Sequence, residues 1–204
     1  NLVLADEINR APAKVQSALL EAMAERQISI GGETFPLPQP FIVLATQNPI
    51  EYEGTYPLPE AQKDRFLLRV EIDYPGEEEE KQLALQSLGQ ETPEKILESD
   101  AIQPVLTTEG IATMQAALEG ITMKGELVSY IVELIRVSRE TDSIQIGAGP
   151  RATKALLLSS RALAAIEGRD YVTPDDIRLM AYPVLSHRII PVSYTHLRAH
   201  ETAT

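Results

Sequence analysis

The 204-residue sequence contains no cysteine. This absence excludes a disulfide framework, a thiolate zinc site and a cysteine nucleophile. No apolar run approaches the ~18 residues that cross a membrane, so no membrane span is expected. Lysine and arginine number 18 against 30 aspartates and glutamates, for a formal net charge of −12. Because non-specific nucleic-acid binding depends on basic side chains, nucleic acid is not an expected partner.

The composition that remains is typical of a folded globular protein. Apolar residues make up 44% of the sequence and charged residues 24%. These shares exclude disorder over the whole chain. The length allows one large domain or two small ones.

Both ends of the sequence depart from the pattern between them. Asn1 stands where a start methionine is usual and leads directly into an apolar run. We therefore expect a fragment that lacks its N-terminal part. No signal peptide is predicted, and the expected location is the cytoplasm. Residues 192–204 lack the preceding apolar periodicity and resemble translated sequencing-adapter read-through, so we expect a non-native tail there.

The first part of the sequence alternates between strand-like and helix-like segments. Three short apolar runs predict strands, the first two of them buried: residues 2–5, 41–45 and 67–72. Between them the sequence predicts a helix beginning at Pro12, a hairpin over residues 28–35 with a Gly31-Gly32 turn, and a short helix from Glu60 to Arg65. This alternation is typical of a parallel sheet with helices on its faces, so residues 1–75 are predicted to form an α/β domain.

Residues 76–191 have a predominantly helical pattern. Glu77 to Glu80 open the first predicted helix, where carboxylates favour the helix dipole. Thr173 followed by Pro174 predicts another helix start. Two stripes with helical spacing predict buried helix faces, one in each part of the sequence: Val15, Ala18, Leu19, Ala22 and Met23, and Leu127, Tyr130, Ile131, Leu134 and Ile135.

Two acidic residues follow the first predicted strand. Ligands of open α/β sheets bind beyond the carboxyl ends of the strands. At such a place Asp6 can hold Mg²⁺ through water, and Glu7 can polarise an attacking water. A solvated strand end explains the same pair, so the two acids alone do not identify a site.

Three further positions carry polar groups that packing does not require. Asn48 follows the second predicted strand, where its amide can orient water or contact a phosphate, or can simply belong to a turn. Arg65 alone is typical of a surface arginine. Arg151 lies in the first turn of a helix that starts at Pro150, where a cation opposes the helix dipole unless an anion such as phosphate lies close. An arginine that extends into solvent is the alternative there.

The order of these elements resembles the AAA+ ATPases. Four local sequences resemble one branch of them, the MoxR-type ATPases: residues 5–12 (ADEINRAP), 45–49 (ATQNP), 53–61 (EGTYPLPEA) and 64–66 (DRF). The resemblance extends from residue 1 to about residue 190. It implies an α/β fold, namely the C-terminal half of an AAA+ parallel-sheet core (residues 1–75), followed by an all-helical lid domain (residues 76–191).

The resemblance implies a role for each candidate residue, with ATP and Mg²⁺ as cofactors. Asp6 would bind Mg²⁺ and Glu7 would activate water, as a Walker B pair. Asn48 would be the sensor 1 residue. Arg65 would be an arginine finger that reaches the ATP of a neighbouring subunit, and Arg151 would be the sensor 2 residue of the lid. These roles are reasonable because phosphoryl transfer depends on positioning and on neutralising charge at oxygens.

The same resemblance implies assembly and partners. Members of this branch form homo-oligomeric rings, typically hexamers, and often act as chaperones on proteins with von Willebrand A domains. The hairpin of residues 26–35 would be the pre-sensor-1 hairpin that faces the ring pore. The implied function couples ATP binding and hydrolysis to remodelling or maturation of partner proteins.

One motif of the family is missing. The sequence contains no G-x-x-x-x-G-K-[ST] phosphate loop. Residues 147–154 are rich in glycine, but their lysine follows the threonine, and Pro150 lacks an amide that a phosphate cradle uses. We therefore expect the phosphate loop upstream of Asn1, and little or no ATPase activity from this sequence alone.

Two other functions fit the same residues. One is a chelatase-like or helicase-like motor of the same superfamily, although the acidic charge argues against a DNA helicase. The other is a non-catalytic binding module that has lost its nucleotide site. Upstream genomic sequence distinguishes them, because a phosphate loop there favours the enzyme and a start codon near Asn1 favours the module.

Overall fold

The computed structural model describes residues 1–48, 56, 58–88, 95 and 102–192. The strands among these residues are β1 (Leu2–Ala5), β2 (Gln27–Ile30), β3 (Glu33–Pro36), β4 (Ile42–Ala45), β5 (Ile144–Ile146) and β6 (Ile190–Pro191). The helices are α1 (Ala13–Glu25), α2 (Glu60–Lys63), α3 (Glu77–Ser87), α4 (Thr108–Ala117), α5 (Gly125–Glu140), α6 (Pro150–Ile166) and α7 (Pro174–Leu185). Residues 53–55 and 57 of the 53–61 motif, Pro49 and the predicted tail beyond Val192 lie outside the described residues.

The predicted parallel strands pair as expected. β1 and β4 run parallel, with Leu2 opposite Ile42 and Ala5 opposite Ala45. The prediction that these strands are buried is wrong for the described residues, because Leu2 is 63% exposed and Leu44 is 52% exposed. In the part of the chain that the structure describes, each of the two strands pairs only with the other. The apolar faces of the pair therefore stay open.

The third predicted strand, residues 67–72, does not form. The backbone of this segment bonds to the end of α7 instead of to a strand, since the Arg69 amide donates to the Pro183 carbonyl over 2.8 Å. The Phe66 and Leu67 carbonyls accept from the guanidinium of Arg188. Groups that would have formed a sheet ladder are thus already hydrogen-bonded.

The hairpin prediction is confirmed. Strands β2 and β3 are antiparallel, with Ile28 opposite Phe35. Gly31 and Gly32 have φ of 62° and 88°. Two central residues with positive φ match the right-handed twist of a two-residue hairpin, and glycine adopts that conformation without strain.

The buried face of α1 differs from the predicted stripe. The helix begins at Ala13 with Pro12 as its cap residue. Its buried residues are Gln16, Leu20 and Ala22, whereas Val15 is 52% exposed. A buried glutamine takes the place of an apolar contact because its amide bonds to three carbonyls, as described below.

The C-terminal region, residues 102–192, contains the main hydrophobic core. Its buried members come from α5, α6 and α7 and from the segments between them, including Ile131, Ile135, Leu156, Ile177 and Val184. The stripe predicted around Ile131 is largely confirmed, although Tyr130 is 39% exposed. The expected all-helical lid needs one correction, because β5 and β6 form a short antiparallel pair that joins the middle of this region to its C-terminal end.

The start of α7 is held by a buried carboxylate. Thr173 caps the helix, and the Asp176 carboxylate accepts from the Thr173 amide in return, which completes a capping box. Both oxygens of Asp176 also accept from Arg169, at 2.6 and 2.9 Å. These hydrogen bonds from Arg169 and Thr173 lower the pKa of Asp176 from 3.8 to about 2, against the opposing effect of its burial.

Gly147 lies where α5 and the loop before α6 come into closest contact. A Cβ at this position would lie 2.8 Å from Arg139 Cα and closer still to the Ser138 carbonyl. The Ala148 amide donates to the Ser138 hydroxyl over 3.0 Å, and the Ala148 carbonyl accepts from Arg139. This contact fixes the entry into α6, which carries Arg151 in its first turn.

None of the helices that the structure describes has both the length and the apolar character of a membrane span.

We expect Asp176→Asn to lower the free energy of unfolding by about 2 kcal/mol at neutral pH, since a pKa depressed from 3.8 to about 2 stabilises the fold by that order. The folded carboxylate has the lower pKa. Its contribution is therefore complete above pH 4 and disappears as the pH falls towards 2. Urea denaturation at several pH values measures the difference between the two proteins. Asp175→Asn, at an exposed neighbour, is the matched control, and a difference that does not change with pH contradicts the assignment.

We expect Gly147→Ala to destabilise the C-terminal region by about 1–3 kcal/mol, because the added methyl group overlaps backbone atoms of α5 that cannot move aside. Thermal or urea unfolding measures this loss. Gly125→Ala is the control, since a Cβ there meets no atom within 4 Å. Equal losses of stability from the two substitutions would show that the close contact at Gly147 does not cause the destabilisation.

Candidate functional site

Asp6 and Glu7 lie at the carboxyl edge of the parallel pair, joined to β4 by one side chain. The Thr46 hydroxyl donates to Asp6 Oδ1 over 2.6 Å and accepts from the Glu7 amide over 2.8 Å. The Thr46 backbone continues the ladder, because its amide donates to Ala5 and its carbonyl accepts from Ile8. Thr46 therefore holds both acids in a fixed relation to the end of β4.

The backbone turns sharply at Glu7. This residue has φ of 46° and ψ of 51°, in the left-handed region that a residue with a Cβ seldom adopts. Glu7 Oε1 accepts from Asn48 Nδ2 over 3.4 Å, and Glu7 Oε2 pairs with Arg10 Nε at 2.8 Å. A conformation of this kind persists only where surrounding contacts enforce it, and such residues are concentrated at functional sites.

A buried amide supports the turn that follows. Gln16 Nε2 donates to the carbonyls of Ile8, Ala11 and Tyr56, at 3.0–3.2 Å. Asn9 Nδ2 donates to the Asn48 carbonyl over 3.1 Å. Gln16 therefore ties the segment after Glu7 to α1, while Asn9 ties it to the segment after β4.

The chemistry of this edge fits Mg²⁺ in one specific way. Asp6 and Glu7 are carboxylates with a hydroxyl and an amide beside them, which are the oxygen-rich groups that Mg²⁺ prefers. In the described ranges, no group of three or more acidic, histidine or cysteine side chains could hold a metal alone. Mg²⁺ usually binds through one or two carboxylates together with phosphates and water, so the donors present match a nucleotide-bound ion rather than a structural one.

The two candidate arginines contact groups other than the acidic edge. Arg65 is exposed, and its Nη1 donates to the Leu20 carbonyl in the second half of α1, over 3.4 Å. Arg151 Nη1 pairs with Asp64 Oδ2 over 3.3 Å. In the described part of the chain, neither arginine forms an ion pair with Asp6 or Glu7. The predicted anion near the first turn of α6 is thus supplied here by Asp64.

Arg188 is a buried arginine that binds the same Asp64 carboxylate as Arg151. Its side chain is 2% exposed, and its Nε donates to Asp64 Oδ1 over 3.0 Å. Its remaining nitrogens donate to the backbone carbonyls of Asp64, Phe66, Leu67 and Val184. Burial lowers the pKa of Arg188, and the hydrogen bond to Asp64 opposes that shift. One guanidinium therefore ties the turn at residues 64–67 to the end of α7.

His187 reinforces the same connection. Its Nε2 lies 3.1 Å from the Phe66 carbonyl. Burial lowers the pKa of His187 below its usual value, while the hydrogen bond to Phe66 partly offsets this effect. A neutral imidazole that donates to the carbonyl is therefore the expected form at neutral pH.

The structure thus brings three of the five predicted site residues together. Asp6 and Glu7 both contact the Thr46 hydroxyl, and Asn48 contacts Glu7, whereas Arg151 pairs with Asp64 and Arg65 contacts the Leu20 carbonyl. Sequence reasoning missed Thr46, Gln16, Asp64 and Arg188 as organising side chains. Only Thr46 carried a usable signal, because a hydroxyl directly after a predicted strand lies at the same sheet edge as Asp6.

Comparison with protein-family models identifies both parts of the chain. Residues 1–68 match the ATPase family associated with various cellular activities (AAA). Residues 136–203 match the AAA lid domain. The first match contains Asp6, Glu7, Asn48 and Arg65, and the second contains Arg151.

Relatives that align along nearly the whole chain include MoxR proteins. The chain is 44% identical over 199 residues to "Chaperone MoxR1" of Mycobacterium tuberculosis, in an alignment that covers 93% of the chain and 51% of that protein. It is also 44% identical to the uncharacterised YeaC of Bacillus subtilis, covering 93% of the chain and 58% of the relative. Magnesium-chelatase subunits are more distant, at 26% identity or less.

A solved structure agrees with these relatives. The crystal structure of a presumed ATPase from Cytophaga hutchinsonii superposes with a TM-score of 0.85 at 39% identity, over 97% of this chain and 61% of that one. The chain thus spans little more than half the length of the relatives it matches. With both parts matched in order and MoxR proteins at up to 44% identity along nearly the whole chain, the chain belongs to the MoxR-type AAA+ ATPases.

Proposed function

We propose that this chain supplies the hydrolysis half of an ATP site in a MoxR-type ATPase. The observation that carries the proposal is the cluster in which Asp6 and Glu7 share the Thr46 hydroxyl and Asn48 contacts Glu7. This cluster holds two carboxylates and one amide together at the end of a parallel strand pair, where nucleotides bind in α/β folds.

Each residue of the cluster has a role that its surroundings suit. Asp6 would hold Mg²⁺, whose charge stabilises negative charge on the phosphate oxygens when the nucleotide is bound. Glu7 would orient the attacking water and accept its proton, as a general base. Asn48 lies within reach of Glu7, so its amide can position both that carboxylate and the water without adding charge.

The arginines would act from outside this cluster. Arg65 is exposed, and among the described residues its guanidinium contacts the Leu20 carbonyl at 3.4 Å, which leaves it able to reach the nucleotide of a neighbouring subunit. Arg151 would contact the nucleotide of its own subunit from the first turn of α6. We infer a homo-oligomeric ring, because an arginine finger that acts on the nucleotide of another subunit requires a neighbouring subunit at each site. The ring would be a hexamer, as is typical of the family.

The wider function follows from the family. We propose that the ring uses ATP hydrolysis to remodel or mature partner proteins, with von Willebrand A domain proteins as the expected clients and the cytoplasm as the location. The β2–β3 hairpin has Ile30 and Phe35 exposed, at 62% and 45%, and would present them towards the ring pore. These side chains would offer a partner protein apolar surface to contact.

We expect the 204-residue chain alone to hydrolyse ATP at a rate near the uncatalysed background. Its sequence carries no phosphate loop, and the backbone amides and lysine of that loop contribute much of the binding of the β- and γ-phosphates. A phosphate-release assay on the purified chain measures this. A rate of ~1 s⁻¹ or more, ordinary for an enzyme, would contradict the need for a separate phosphate cradle.

In the full-length protein that contains this chain, we expect Glu7→Gln to retain ATP binding and to lose hydrolysis by about 10²–10⁴-fold, because the general base is removed. We expect Arg65→Ala to lose about 10³-fold or more. Mixing the two variants should restore part of the activity, since some interfaces then combine an intact Glu7 with an intact Arg65 from the next subunit. Phosphate release from mixtures of varied ratio measures the recovery.

Two controls make this experiment specific. Arg69→Ala removes an exposed arginine near Arg65 in sequence whose ion pair within the described ranges is with Glu71, and it should leave hydrolysis unchanged. Mixing Glu7→Gln subunits with subunits that carry both substitutions should restore nothing. If the first mixture also fails to recover, Arg65 does not act across the subunit interface.

A further inference from the structure

We propose that Asp64 is a resting partner for Arg151, which holds this arginine in the nucleotide-free protein and releases it to a phosphate when ATP binds. This inference rests on the proposed function. Its basis is that two arginines from different elements meet on one carboxylate: Arg151 from the first turn of α6 on Oδ2, and Arg188 from beyond α7 on Oδ1.

The two ion pairs differ in how easily they can be exchanged. The Arg151 side chain is 58% exposed and reaches Asp64 through a single nitrogen at 3.3 Å, without the two-pronged geometry of a strong arginine–carboxylate pair. Exposed pairs of this kind contribute little to stability. Arg188 is 2% exposed and has five hydrogen-bond acceptors, so breaking its contacts would leave a buried charge unpaired.

The carboxylate itself is held in place. Asp64 ends α2, where its amide donates to the Glu60 carbonyl over 3.0 Å. Its carbonyl accepts from Arg188 Nη2 over 3.2 Å. Asp64 therefore cannot follow Arg151 when this arginine moves, and the exchange leaves the contacts of Arg188 intact.

A phosphate has the chemistry to displace Asp64. Both ligands are oxyanions that accept from a guanidinium, but a nucleotide phosphate offers more oxygens and more charge than one carboxylate oxygen at 3.3 Å. Arg151 also lies at the N-terminus of a helix with no acidic side chain in its first turn, where an anion is favoured. The resting pair with Asp64 would thus reduce ATP affinity slightly and keep Arg151 close to its site.

The test is a double-mutant cycle in the full-length protein, read as the Kd of a fluorescent ATP analogue with Mg²⁺. Asp64→Asn removes the charge that competes with phosphate but keeps an oxygen for Arg188. We expect it to tighten binding by about two- to fivefold when Arg151 is present, in line with the small energy of an exposed pair. In an Arg151→Gln background, the same substitution should change Kd by less than about 1.5-fold.

Asp175→Asn is the matched control, because Asp175 also pairs with an exposed arginine at 3.3 Å, namely Arg178 in the same helix. Its Kd should equal that of the unmodified protein. An unchanged or weaker Kd for Asp64→Asn, or an equal gain in both backgrounds, overturns the resting-partner role. Failure of the unmodified protein to bind the analogue at all overturns the proposed function as well.

A second measurement covers the case in which Asp64→Asn does not fold because Arg188 loses its counter-charge. A structure of the unmodified full-length protein with a non-hydrolysable ATP analogue should place Arg151 on a phosphate oxygen, more than 4 Å from Asp64. The Arg188 contacts should remain as they are here. An Arg151–Asp64 pair that persists beside the bound analogue refutes the exchange.

Discussion

The parallel register of β1 against β4 determines which polar groups of this chain can act together. With Ala5 opposite Ala45, the residues that follow both strands emerge at one edge, and the Thr46 hydroxyl can reach Asp6 and Glu7 at once. A register shifted by one residue would turn these side chains to the opposite face of the sheet. The left-handed conformation of Glu7 depends on the same pairing, because its amide is the donor that Thr46 accepts.

The arginines depend on a different kind of constraint. Arg188 donates to groups more than 110 residues away in sequence, and these contacts attach residues 64–67 to the C-terminal region. The Arg69 amide and Tyr182, which donates to Glu71, extend the attachment. Arg65 therefore sits on a turn whose backbone is held by the C-terminal region, while its side chain stays exposed. A movement of that region would carry this turn with it, which links the position of Arg65 to that of Arg151.

Sequence reasoning succeeded where the signal was local. The Gly31-Gly32 hairpin, the Thr173 cap and the start of α6 at Pro150 each depend on residues within one turn of each other, and each is confirmed. It failed where a distant group decided the outcome. Residues 67–72 have the apolar content of a strand, but Arg188 and Pro183 take the hydrogen bonds that a strand would need. Gln16 interrupts the predicted stripe of α1 because its amide bonds to carbonyls of the segment just before the helix and to the distant Tyr56 carbonyl. Nothing in the local sequence of Asp64 indicates that two arginines meet there.

The two halves of the candidate site also differ in how firmly their surroundings hold them. The arginine half is attached to a closed core in which Ile131, Leu156 and Ile177 are fully buried. The acidic half follows a two-stranded parallel pair with exposed leucines on its faces, and such a pair is marginally stable unless other layers cover it. Burying one leucine side chain contributes about 1.5–3 kcal/mol, so covering Leu2, Leu4 and Leu44 would stabilise the pair considerably. Catalysis by fixed dipoles requires that the groups stay in place during the reaction. Whatever packs on the faces of β1 and β4 therefore controls the rigidity of Asp6 and Glu7, while Arg151 and Arg188 already have a rigid support of their own.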